Sequence, residues 1–448
     1  METSRLTRTT AVAALPAKAA LRAAVLRWQA WRGADLNELQ HRARAETADD
    51  VRQVLGSLKG GAMKVGQLLS TVDALLPLDP DDSWQQAVQS LQQDAAALPF
   101  SEVETVLAGD LGLRWRDRFR EFDERAVAAA SIGQVHRAQL ADGRTVAVKV
   151  QYPGIAEAMA ADVKSLSAAL RLISLVAPRT ALPPLIAELR IRLAEELDYV
   201  REGAHQARFA RDYASDAEYA VPPVRLATRR VLVSDWLGGT GFADLAREGT
   251  AAERDRAAML YQRFFLTSPG RVGLLHTDPH PGNFRLQADG RLGVLDFGSV
   301  LVLPGGLPQT FGGLIGGMLA GDSAAVEARL RRDGFLRPGR EIEIDKLVDY
   351  LAPFSEPAAQ EVFHYSRAWL RDQFSRANDP RNPDFAVALQ LTMPAEQLFT
   401  HRVWLGMVGV MSGLDATVPV RSELIAHLPG FADAIASAAA GATAEGPD

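Results

Sequence analysis

The sequence predicts an α+β fold, because two β-hairpins stand among long stretches of helical periodicity. Asp142-Gly143 and Asp289-Gly290 each lie between two runs in which apolar residues alternate. An Asp-Gly pair in that setting favours a tight hairpin turn. The hairpins are short compared with the helical stretches, so we expect strands to form the smaller part of the structure.

Composition limits the class of protein. The 448 residues, 47% of them hydrophobic, are enough for a large core and for about three domains. The 49 basic and 55 acidic side chains give a net charge of -6, so no nucleic-acid partner is expected. The chain has no cysteine, which excludes a disulfide scaffold, a thiolate nucleophile and cysteine-bound zinc or iron–sulfur clusters. A cytoplasmic location is compatible with this composition.

The N-terminal segment is basic. Residues 1–33 carry six basic side chains against one acidic side chain. On a helical projection Trp28 and Trp31 lie on an alanine-rich side, whereas three of the basic residues gather on another. This pattern is typical of a basic amphipathic helix on an anionic membrane surface, so peripheral membrane association is one hypothesis. The alternative is an ordinary helix that packs its tryptophan face on the rest of the protein.

The best candidate for a membrane span is the stretch 297–321, which carries no charge. Pro304, Pro308 and paired glycines interrupt this stretch, so a continuous helix across a bilayer is not expected there. We predict buried loop and core helix instead.

Hydrophobic periodicity predicts the other elements along the chain. The expected elements are, in order, helices at 48–76, 83–96 and 101–109, the first hairpin at 134–150, helices at 155–176 and 184–214, a strand at 229–236, a helix at 251–268, the second hairpin at 283–298 and helical segments from 306 onward. The tail after Ile435 is small and polar, so we expect it to be frayed.

The run AAASIGQV has the spacing of the kinase nucleotide loop G-x-G-x-x-G-x-V, but alanine replaces its first two glycines. Glycine permits positive φ and lets backbone N–H groups approach phosphate oxygens, whereas a Cβ obstructs both. The loop is therefore expected to cover phosphates less closely. Taken alone, the run fits a helix start or a packing patch of small residues better. The candidate nucleotide contacts are Ala128, Ala129, Ala130, Ser131, Gly133 and Val135.

Lys149 ends the run VAVK, fourteen residues after Val135. A strand lysine that faces a cleft can contact the α- and β-phosphates of a nucleotide, provided that a carboxylate fixes its position. A lysine on a strand is commonplace, so this motif gains weight only from its neighbours in the sequence.

The segment HTDPHPGN has the spacing of a kinase catalytic loop, H-R-D-x-x-x-x-N, with Thr277 in place of the arginine. In that pattern Asp278 would accept or orient the proton of the attacking hydroxyl, and Asn283 would bind Mg²⁺ through its amide oxygen. His276 is expected to be a structural ring that packs against the DFG segment.

The same segment leaves a metal hydrolase open as another hypothesis. His276 and His280 are spaced i, i+4, as in zinc sites on helices, and Asp278 lies between them. Pro279 and Pro281 would break such a helix, which argues against a zinc site of this kind.

Asp296 opens the DFG motif eighteen residues after Asp278. A carboxylate just after a hairpin, opposite Asn283, supplies the oxygen ligand that Mg²⁺ prefers when it bridges phosphates. An isolated DFG is also a common turn sequence, so the assignment depends on the rest of the pattern.

Order and spacing join these motifs into one prediction. They follow one another as they do in kinases, which rarely happens by accident, so a kinase-like nucleotide site and a bilobal kinase-like fold are predicted. The missing APE motif and the missing catalytic-loop arginine distinguish the chain from ordinary protein kinases. The predicted segments are a basic N-terminal segment (1–47), a helical extension (48–125), a small β-containing N-lobe with inserted helices (126–236), a helical C-lobe (237–435) and a flexible tail (436–448).

The sequence resembles the UbiB/AarF/ADCK family of atypical protein-kinase-like proteins. The resemblance runs from about residue 50 to residue 300, and it is looser on either side. The motifs that carry it are KVGQ, FDERAVAAASIGQVHRA, VAVKVQYPG, EELDYVREGAHQARF, HTDPHPGN and LDFG. It implies an atypical kinase-like fold with a helical N-terminal extension.

The resemblance also implies roles for residues outside the kinase motifs. Lys64 and Gln67 of the KxGQ motif would lie on a helical extension that folds over the active site as a lid, next to Glu196 and Asp198 of the ExD motif. Without the family, Lys64 would be an ordinary surface lysine. Glu195, Asp198 and Glu202 would be a solvated helical face, since they are spaced i, i+3, i+7.

Within the kinase-like region the resemblance assigns further partners. Lys149 would pair with Glu202, Asp278 would be the catalytic aspartate, and Asn283 and Asp296 would bind Mg²⁺. Asp235 lies in the linker strand between the lobes, where the family often has glutamate, and is a candidate nucleotide contact.

The implied function is that of a Mg²⁺-dependent atypical kinase or ATPase that binds ATP or ADP. The family implies a role in prenyl-quinone or other lipid metabolism, with a lipid or prenyl-quinone precursor as partner. The alternative is a nucleotide-binding pseudokinase that regulates or scaffolds enzymes of a lipid pathway. The sequence predicts a cytoplasmic protein, and membrane association through its basic N-terminal segment is one hypothesis.

Overall fold

The computed structural model describes residues 98–130, 132–161, 195–336, 339, 341–378, 387, 390–392, 394 and 397–444. The basic N-terminal segment, Lys64, Gln67 and Ser131 lie outside the described residues. The chain divides into two compact units. The first comprises residues up to Arg201 together with Arg225–Asp235, and the second comprises Glu202–Val224 and the residues from Trp236 onward.

A six-stranded sheet with one helix forms the described core of the first unit. The helix is α1 (Phe100–Leu111), and the strands are β1 (Phe119–Phe122), β2 (Ala128–Ala129), β3 (Gly133–Leu140), β4 (Thr145–Gln151), β6 (Val224–Ala227) and β7 (Val231–Asp235). The strands lie in the order β1-β3-β4-β7-β6, and β2 pairs with β3. Helix α1 packs against β4 and β7.

Strand β4 shows why these residues form a sheet. Val146, Val148 and Val150 are fully buried in the core that β4 shares with α1, and the residues between them are partly exposed. Successive side chains of a strand point to opposite faces, so Lys149 lies on the face away from this core.

The first predicted hairpin, β3–β4, is confirmed. Gly143 has a φ of +87°, a backbone conformation that favours glycine. The Asp142 carboxylate accepts a hydrogen bond from the Arg144 N–H over 3.0 Å, which closes the turn. Register in this hairpin places Val135 opposite Lys149.

Helices dominate the second unit. They are α2 (Tyr199–Asp212, whose first residues belong to the first unit), α3 (Phe242–Glu248), α4 (Ala251–Val272), α5 (Thr310–Leu319), α6 (Ser323–Arg332), α7 (Ile344–Ala359), α8 (Arg367–Asn378), α9 (Leu398–Leu414), α10 (Val420–His427) and α11 (Phe431–Ala444). The strands are β5 (Tyr219–Ala220), β8 (Thr240–Gly241), β9 (Leu274–His276), β10 (Phe284–Leu286), β11 (Leu292–Val294), β12 (Val300–Val302), β13 (Phe363–His364) and β14 (Thr417–Val418). They form a four-stranded sheet, β5-β11-β10-β8, and the pairs β9–β12 and β13–β14.

Helix α4 runs through the core of the second unit. Thr250 and Glu253 form a reciprocal capping box at its start, and Gly273, with a φ of +71°, ends it. Its buried rings Phe264 and Phe265 lie within 6.2 Å of the His276 ring, measured between ring centroids. This helix therefore fixes strand β9, which leads into the predicted catalytic loop.

Most predicted elements are confirmed among the described residues. The second hairpin is β10–β11, with Gly290 at a φ of +81° in its turn. The strand at 229–236 is β7, and the helix at 251–268 is α4, which continues to Val272. Nine short strands among the described residues were not predicted, because two to four residues carry too little periodicity to separate a strand from a loop. They are β1, β2, β5, β6, β8, β9, β12, β13 and β14.

Two stretches differ from the sequence-based expectation or refine it. The chargeless stretch 297–321 contains β12 and the ten-residue helix α5, and no helix among the described residues is long and apolar enough to cross a membrane. Helix α11 continues through residues 436–444, where a flexible tail was predicted. Alanine has the highest helix propensity of the residues, and this stretch is rich in it.

Candidate active site

The catalytic-loop and DFG segments run side by side in the second unit. Strand β9 pairs antiparallel with β12, so that His276 lies opposite Val300. The Thr277 N–H donates to the Ser299 carbonyl over 2.9 Å, and the hydroxyls of the same two residues hydrogen-bond over 2.7 Å. Thr277 stands where kinases have arginine, so its pairing with Ser299 gives this substitution a structural role.

His276 joins the two segments through its ring. The ring is fully buried and lies edge-on to Phe297 of the DFG motif, with the centroids 5.6 Å apart. Its Nδ1 accepts from the Asp278 N–H over 3.3 Å, so Nε2 carries the proton and donates to the Asp296 carbonyl. The prediction of a structural ring is confirmed. Because both ring nitrogens are engaged, the arrangement argues against the zinc-hydrolase hypothesis.

Asp278 and Asn283 are hydrogen-bonded to each other. The Asn283 amide Nδ2 donates to Asp278 Oδ2 over 3.1 Å and to the Asp278 carbonyl over 3.3 Å. A 3₁₀ turn over Pro281–Asn283 places the asparagine, and the His280 ring accepts from the Gly282 N–H at its start. With Nδ2 directed at Asp278, the Oδ1 atom of Asn283 points away from that carboxylate.

Asp296 is brought beside Asn283 by the second hairpin. Phe284 pairs with Val294 at its open end, and the Leu295 N–H donates to the Asn283 carbonyl over 2.9 Å. The next residue is Asp296, whose Oδ1 accepts from the Gly298 N–H over 2.9 Å. Chain register and hydrogen bonds thus gather three of the predicted site residues in one unit.

Glu202 belongs to the same group. It lies in the first turn of α2 and is 3% exposed, so the alternative of a solvated helical face is wrong for this residue. A Cβ on Gly298 would be 3.3 Å from Asp296 Oδ1 and 3.4 Å from Glu202 Oε2. Two carboxylates therefore approach the DFG glycine from different elements, and a larger residue at position 298 would crowd both.

The donor set of this group suits Mg²⁺. The Asn283 amide oxygen and the Asp296 carboxylate are hard oxygen ligands, which Mg²⁺ prefers over nitrogen or sulfur. The residues that would hold the ion are therefore Asn283 and Asp296, in agreement with the sequence-based prediction, which stays a prediction.

The helix before Glu202 differs from the predicted continuous helix at 184–214. Helical conformation stops at 197–198, and α2 begins anew at Tyr199. The Asp198 carboxylate accepts from the Val200 N–H over 3.0 Å, as a helix N-cap does. Asp198 is therefore a cap and does not share a helical face with Glu202, while Glu196 is buried, at 8% exposed.

In the first unit the alanine-rich run forms a tight hairpin and not a helix start. Ala128 pairs with Val135, and the Ala130 N–H donates to the Gly133 carbonyl over 2.7 Å. Ala128 and Ala129 are exposed. A Cβ on Gly133 would be 2.2 Å from the Val150 carbonyl oxygen, so this glycine is required by the close approach of β4.

Lys149 and Asp235 occupy defined places in the first unit. The Lys149 ammonium lies 5.0 Å from the centroid of the buried Tyr199 ring, a cation–π distance. Asp235 ends β7, and its carboxylate accepts two hydrogen bonds from the Arg225 guanidinium, one of them at 2.6 Å. This ion pair occupies the side chain, which leaves the backbone of Asp235 as its candidate contact for a nucleotide.

Comparisons with known proteins identify the family of the chain. A family model described as the ABC1 atypical kinase-like domain matches residues 90–329, which is more than half of the chain. The structure of Rv3197 from Mycobacterium tuberculosis in complex with erythromycin is 36% identical, has a TM-score of 0.67, and is matched over 89% of this chain and 100% of that chain.

Curated relatives match over shorter parts of their own lengths. An uncharacterized protein from Synechocystis is 32% identical, with 78% of this chain and 61% of the relative covered. The mitochondrial atypical kinase coq-8 of Caenorhabditis elegans is 28% identical (83% and 49% covered), and COQ8B of Rattus norvegicus is 34% identical (56% and 48% covered). The chain thus spans about half to three fifths of the length of these relatives. Together with the motifs of its catalytic loop, these matches show that the chain belongs to the ABC1 (UbiB/AarF/ADCK) family of atypical kinases and has the atypical kinase-like α+β fold.

Proposed function

We propose that the chain is a Mg²⁺-dependent atypical kinase or ATPase that binds ATP and ADP. One observation carries this proposal: Asp278, Asn283 and Asp296 are tied together by hydrogen bonds within the second unit, through the Asn283 amide and the His276 ring. Such ties preorganise a polar site, which is the main requirement of phosphoryl transfer.

The residues of the second unit would divide the work. Asp278 would accept or orient the proton of the attacking hydroxyl or water, and Asn283 would hold its carboxylate in place through Nδ2. Asn283 and Asp296 would hold Mg²⁺, which neutralises phosphate charge when it is bound. His276 would fix the positions of Asp278 and Asp296 relative to each other, because its ring forms hydrogen bonds with the backbone of both residues.

The first unit would contribute a positive charge and a hairpin that covers the phosphates of the nucleotide. Lys149 would contact the phosphates, as the family resemblance implies. The hairpin of Ala128–Ala129 and Gly133 would cover the phosphates less closely than a glycine-rich loop, because each Cβ keeps the backbone away.

A pseudokinase is the second candidate function. Ala128 and Ala130 stand where nucleotide loops carry glycine, and Thr277 is engaged with Ser299 where catalytic loops carry arginine. Both features weaken the usual machinery without removing a predicted Mg²⁺ ligand. Retained ADP binding without ATP turnover would favour this candidate.

The cellular role rests on the family alone. We propose that the chain supports prenyl-quinone or other lipid metabolism, with a lipid or quinone precursor as the molecule that it serves. A cytoplasmic location with peripheral membrane contact through residues 1–33 stays a prediction, because that segment lies outside the described residues.

Titration calorimetry of ADP and ATP, with and without Mg²⁺, tests the nucleotide site. We expect Mg²⁺-dependent binding in the natural chain and its loss in Asp296→Asn, which keeps the shape of the side chain but removes its charge. Asp289→Asn is the matched control, since Asp289 lies in the exposed turn of the same hairpin. Undiminished Mg²⁺-dependent binding in Asp296→Asn would refute the site.

A further inference from the structure

The catalytic loop packs against two helices at Pro279. Pro279 follows Asp278 directly and is buried. Tyr261 of α4 donates its hydroxyl to the Pro279 carbonyl, and the Pro279 ring faces Gly406 of α9. Helix α9 lies beyond residue 329, where the family match ends, so this support is not part of the matched domain.

Gly406 leaves no room for a side chain. A Cβ at this position would be 2.3 Å from the Cγ atom and 3.2 Å from the Cβ atom of Pro279, whereas ordinary contacts begin at 3.4 Å. The gap would have to widen by about 1 Å. A proline ring is closed on its own backbone nitrogen and cannot swing aside, so the shift must pass into the backbone of the catalytic loop or of α9.

Other glycines of α9 show that this contact is specific. A Cβ on Gly409 or Gly413 would meet no atom within 4 Å. Glycine in a helix interior is disfavoured by roughly 1 kcal/mol relative to alanine. The close approach of Pro279 explains why position 406 carries glycine. No such approach explains the glycines at positions 409 and 413.

Tyr261 supports the same residue from the other side. Its side chain is fully buried, and burial, with the nearby Asp278 carboxylate, raises the pKa of its hydroxyl well above the ordinary value. The hydroxyl therefore stays protonated as a donor to the Pro279 carbonyl. Pro279 is held by a hydrogen bond from α4 and by packing against α9.

We propose that Gly406 and Tyr261 are positioning residues, which act through Pro279 to set the place of the Asp278 carboxylate. This inference rests on the proposed role of Asp278. Asp278 also accepts from Asn283 over 3.1 Å, so a shift of Pro279 would disturb the aspartate and the predicted Mg²⁺ ligand together. The C-terminal helix α9 thereby takes part in building the site.

Steady-state ATP hydrolysis of Gly406→Ala and of its matched control Gly409→Ala tests the inference. A displacement of about 1 Å at a catalytic group can lower turnover on the order of 100-fold. We expect kcat of Gly406→Ala to fall roughly 10- to 100-fold while KM rises only a few-fold through Asn283, and Gly409→Ala to keep the natural kcat and KM. A merely structural role would not produce this split between kcat and KM.

A second substitution separates positioning from general damage. Adding Pro279→Ala to Gly406→Ala removes the Cγ atom that collides, so kcat should recover several-fold. A folded Gly406→Ala chain with natural kcat, or a double variant no more active than Gly406→Ala, would overturn the inference. If Gly406→Ala does not fold, Tyr261→Phe keeps the ring and loses only the hydroxyl. It should lower kcat without changing KM, and natural kcat in that variant would overturn the inference.

Different experimental results would refute the positioning role and the proposed function. A natural chain that hydrolyses no ATP would refute the ATPase activity, and the readout then becomes the Mg²⁺ dependence of ADP affinity. Gly406→Ala should weaken that dependence through Asn283, and Gly409→Ala should preserve it. Equal dependence in both variants would overturn the positioning role, and a natural chain that binds no nucleotide would overturn both proposals.

Discussion

The two units hold their candidate residues by different means. In the second unit Asp278, Asn283 and the backbone of Asp296 are linked by hydrogen bonds that pass through side chains. In the first unit Lys149 and Asp235 are placed by sheet register, Lys149 opposite Leu232 and Asp235 opposite Val146. A linked group loses its geometry when one member changes, whereas register survives a single substitution. We therefore expect variants of the linked group to change turnover, and variants of the predicted Mg²⁺ ligands to change nucleotide binding as well. Variants of the first unit should change binding.

The largest effect is expected for Asp278→Asn. This substitution keeps the size of the side chain but removes the group that would accept the substrate proton, so kcat should fall by about 100-fold or more. Nucleotide affinity should stay within about threefold. Steady-state ATP hydrolysis and calorimetry measure the two quantities, with Asp289→Asn as control. Natural kcat in Asp278→Asn would show that the linked group does not carry the chemistry.

The next effect concerns the ring that links the two segments. His276→Leu removes the donor to the buried Asp296 carbonyl and the acceptor of the Asp278 N–H, so the free energy of unfolding should fall by about 2 kcal/mol or more. Denaturant unfolding measures the loss. His364→Leu is the control, since His364 is exposed and its contacts with Thr417 and Asp415 are open to solvent. It should change stability by less than about 1 kcal/mol. Equal stability of the two variants would contradict the linking role.

Variants of the hairpin formed by the alanine-rich run should change ATP binding. Ala128→Gly and Ala130→Gly remove the Cβ atoms that keep the backbone from phosphates, so affinity for ATP should rise several-fold. Ala129→Gly is the control, because residue 129 does not correspond to a glycine of the nucleotide-loop pattern. Calorimetry with ATP measures the change. An equal effect at all three positions would indicate general loosening of the hairpin.

The smallest effect is the pH dependence of the first unit. His136 is buried, its Nε2 contacts the Gln134 amide over 3.0 Å, and its Nδ1 contacts the Asp123 carbonyl over 2.8 Å. Burial lowers the pKa of this imidazole below its ordinary value, although Asp123 and Glu124 oppose the shift. The folded chain thus binds fewer protons than the unfolded chain just below pH 6.5, and stability is lost as pH falls.

Urea unfolding at pH 7.5 and pH 5.5 checks this dependence. The natural chain should lose stability at the lower pH, and His136→Asn should lose less, because asparagine does not titrate in this range. The same loss in both chains would assign the pH dependence to other groups.

Local sequence patterns were sufficient to predict the turns and strands whose conformation depends on neighbouring residues. Asp289-Gly290 predicted the turn that brings Asn283 beside Asp296, and the run VAVK predicted the strand that carries Lys149. These features follow from turn chemistry and from the alternation of side chains, which are visible within a few residues.

Contacts between distant segments were not predictable from such patterns. The approach of Pro279 to Gly406 joins residues far apart in the sequence, and nothing near either residue indicates the other. Thr277 looked like a departure from the kinase pattern until its hydrogen bond with Ser299 was known. The capping role of Asp198 was missed for another reason. Its spacing fits a helical face, yet its carboxylate caps the next helix, and aspartate is favoured at that position.

The central claim of the proposed function is that Asn283 and Asp296 hold one Mg²⁺ ion with the bound nucleotide. Calorimetric stoichiometry of ADP with Mg²⁺ in the natural chain, Asn283→Ala and Asp296→Asn tests it most directly. We predict one nucleotide per chain, with Mg²⁺-dependent affinity lost or strongly weakened in each variant. Natural Mg²⁺-dependent affinity in either variant would contradict the claim, because the two residues could not then hold the same ion.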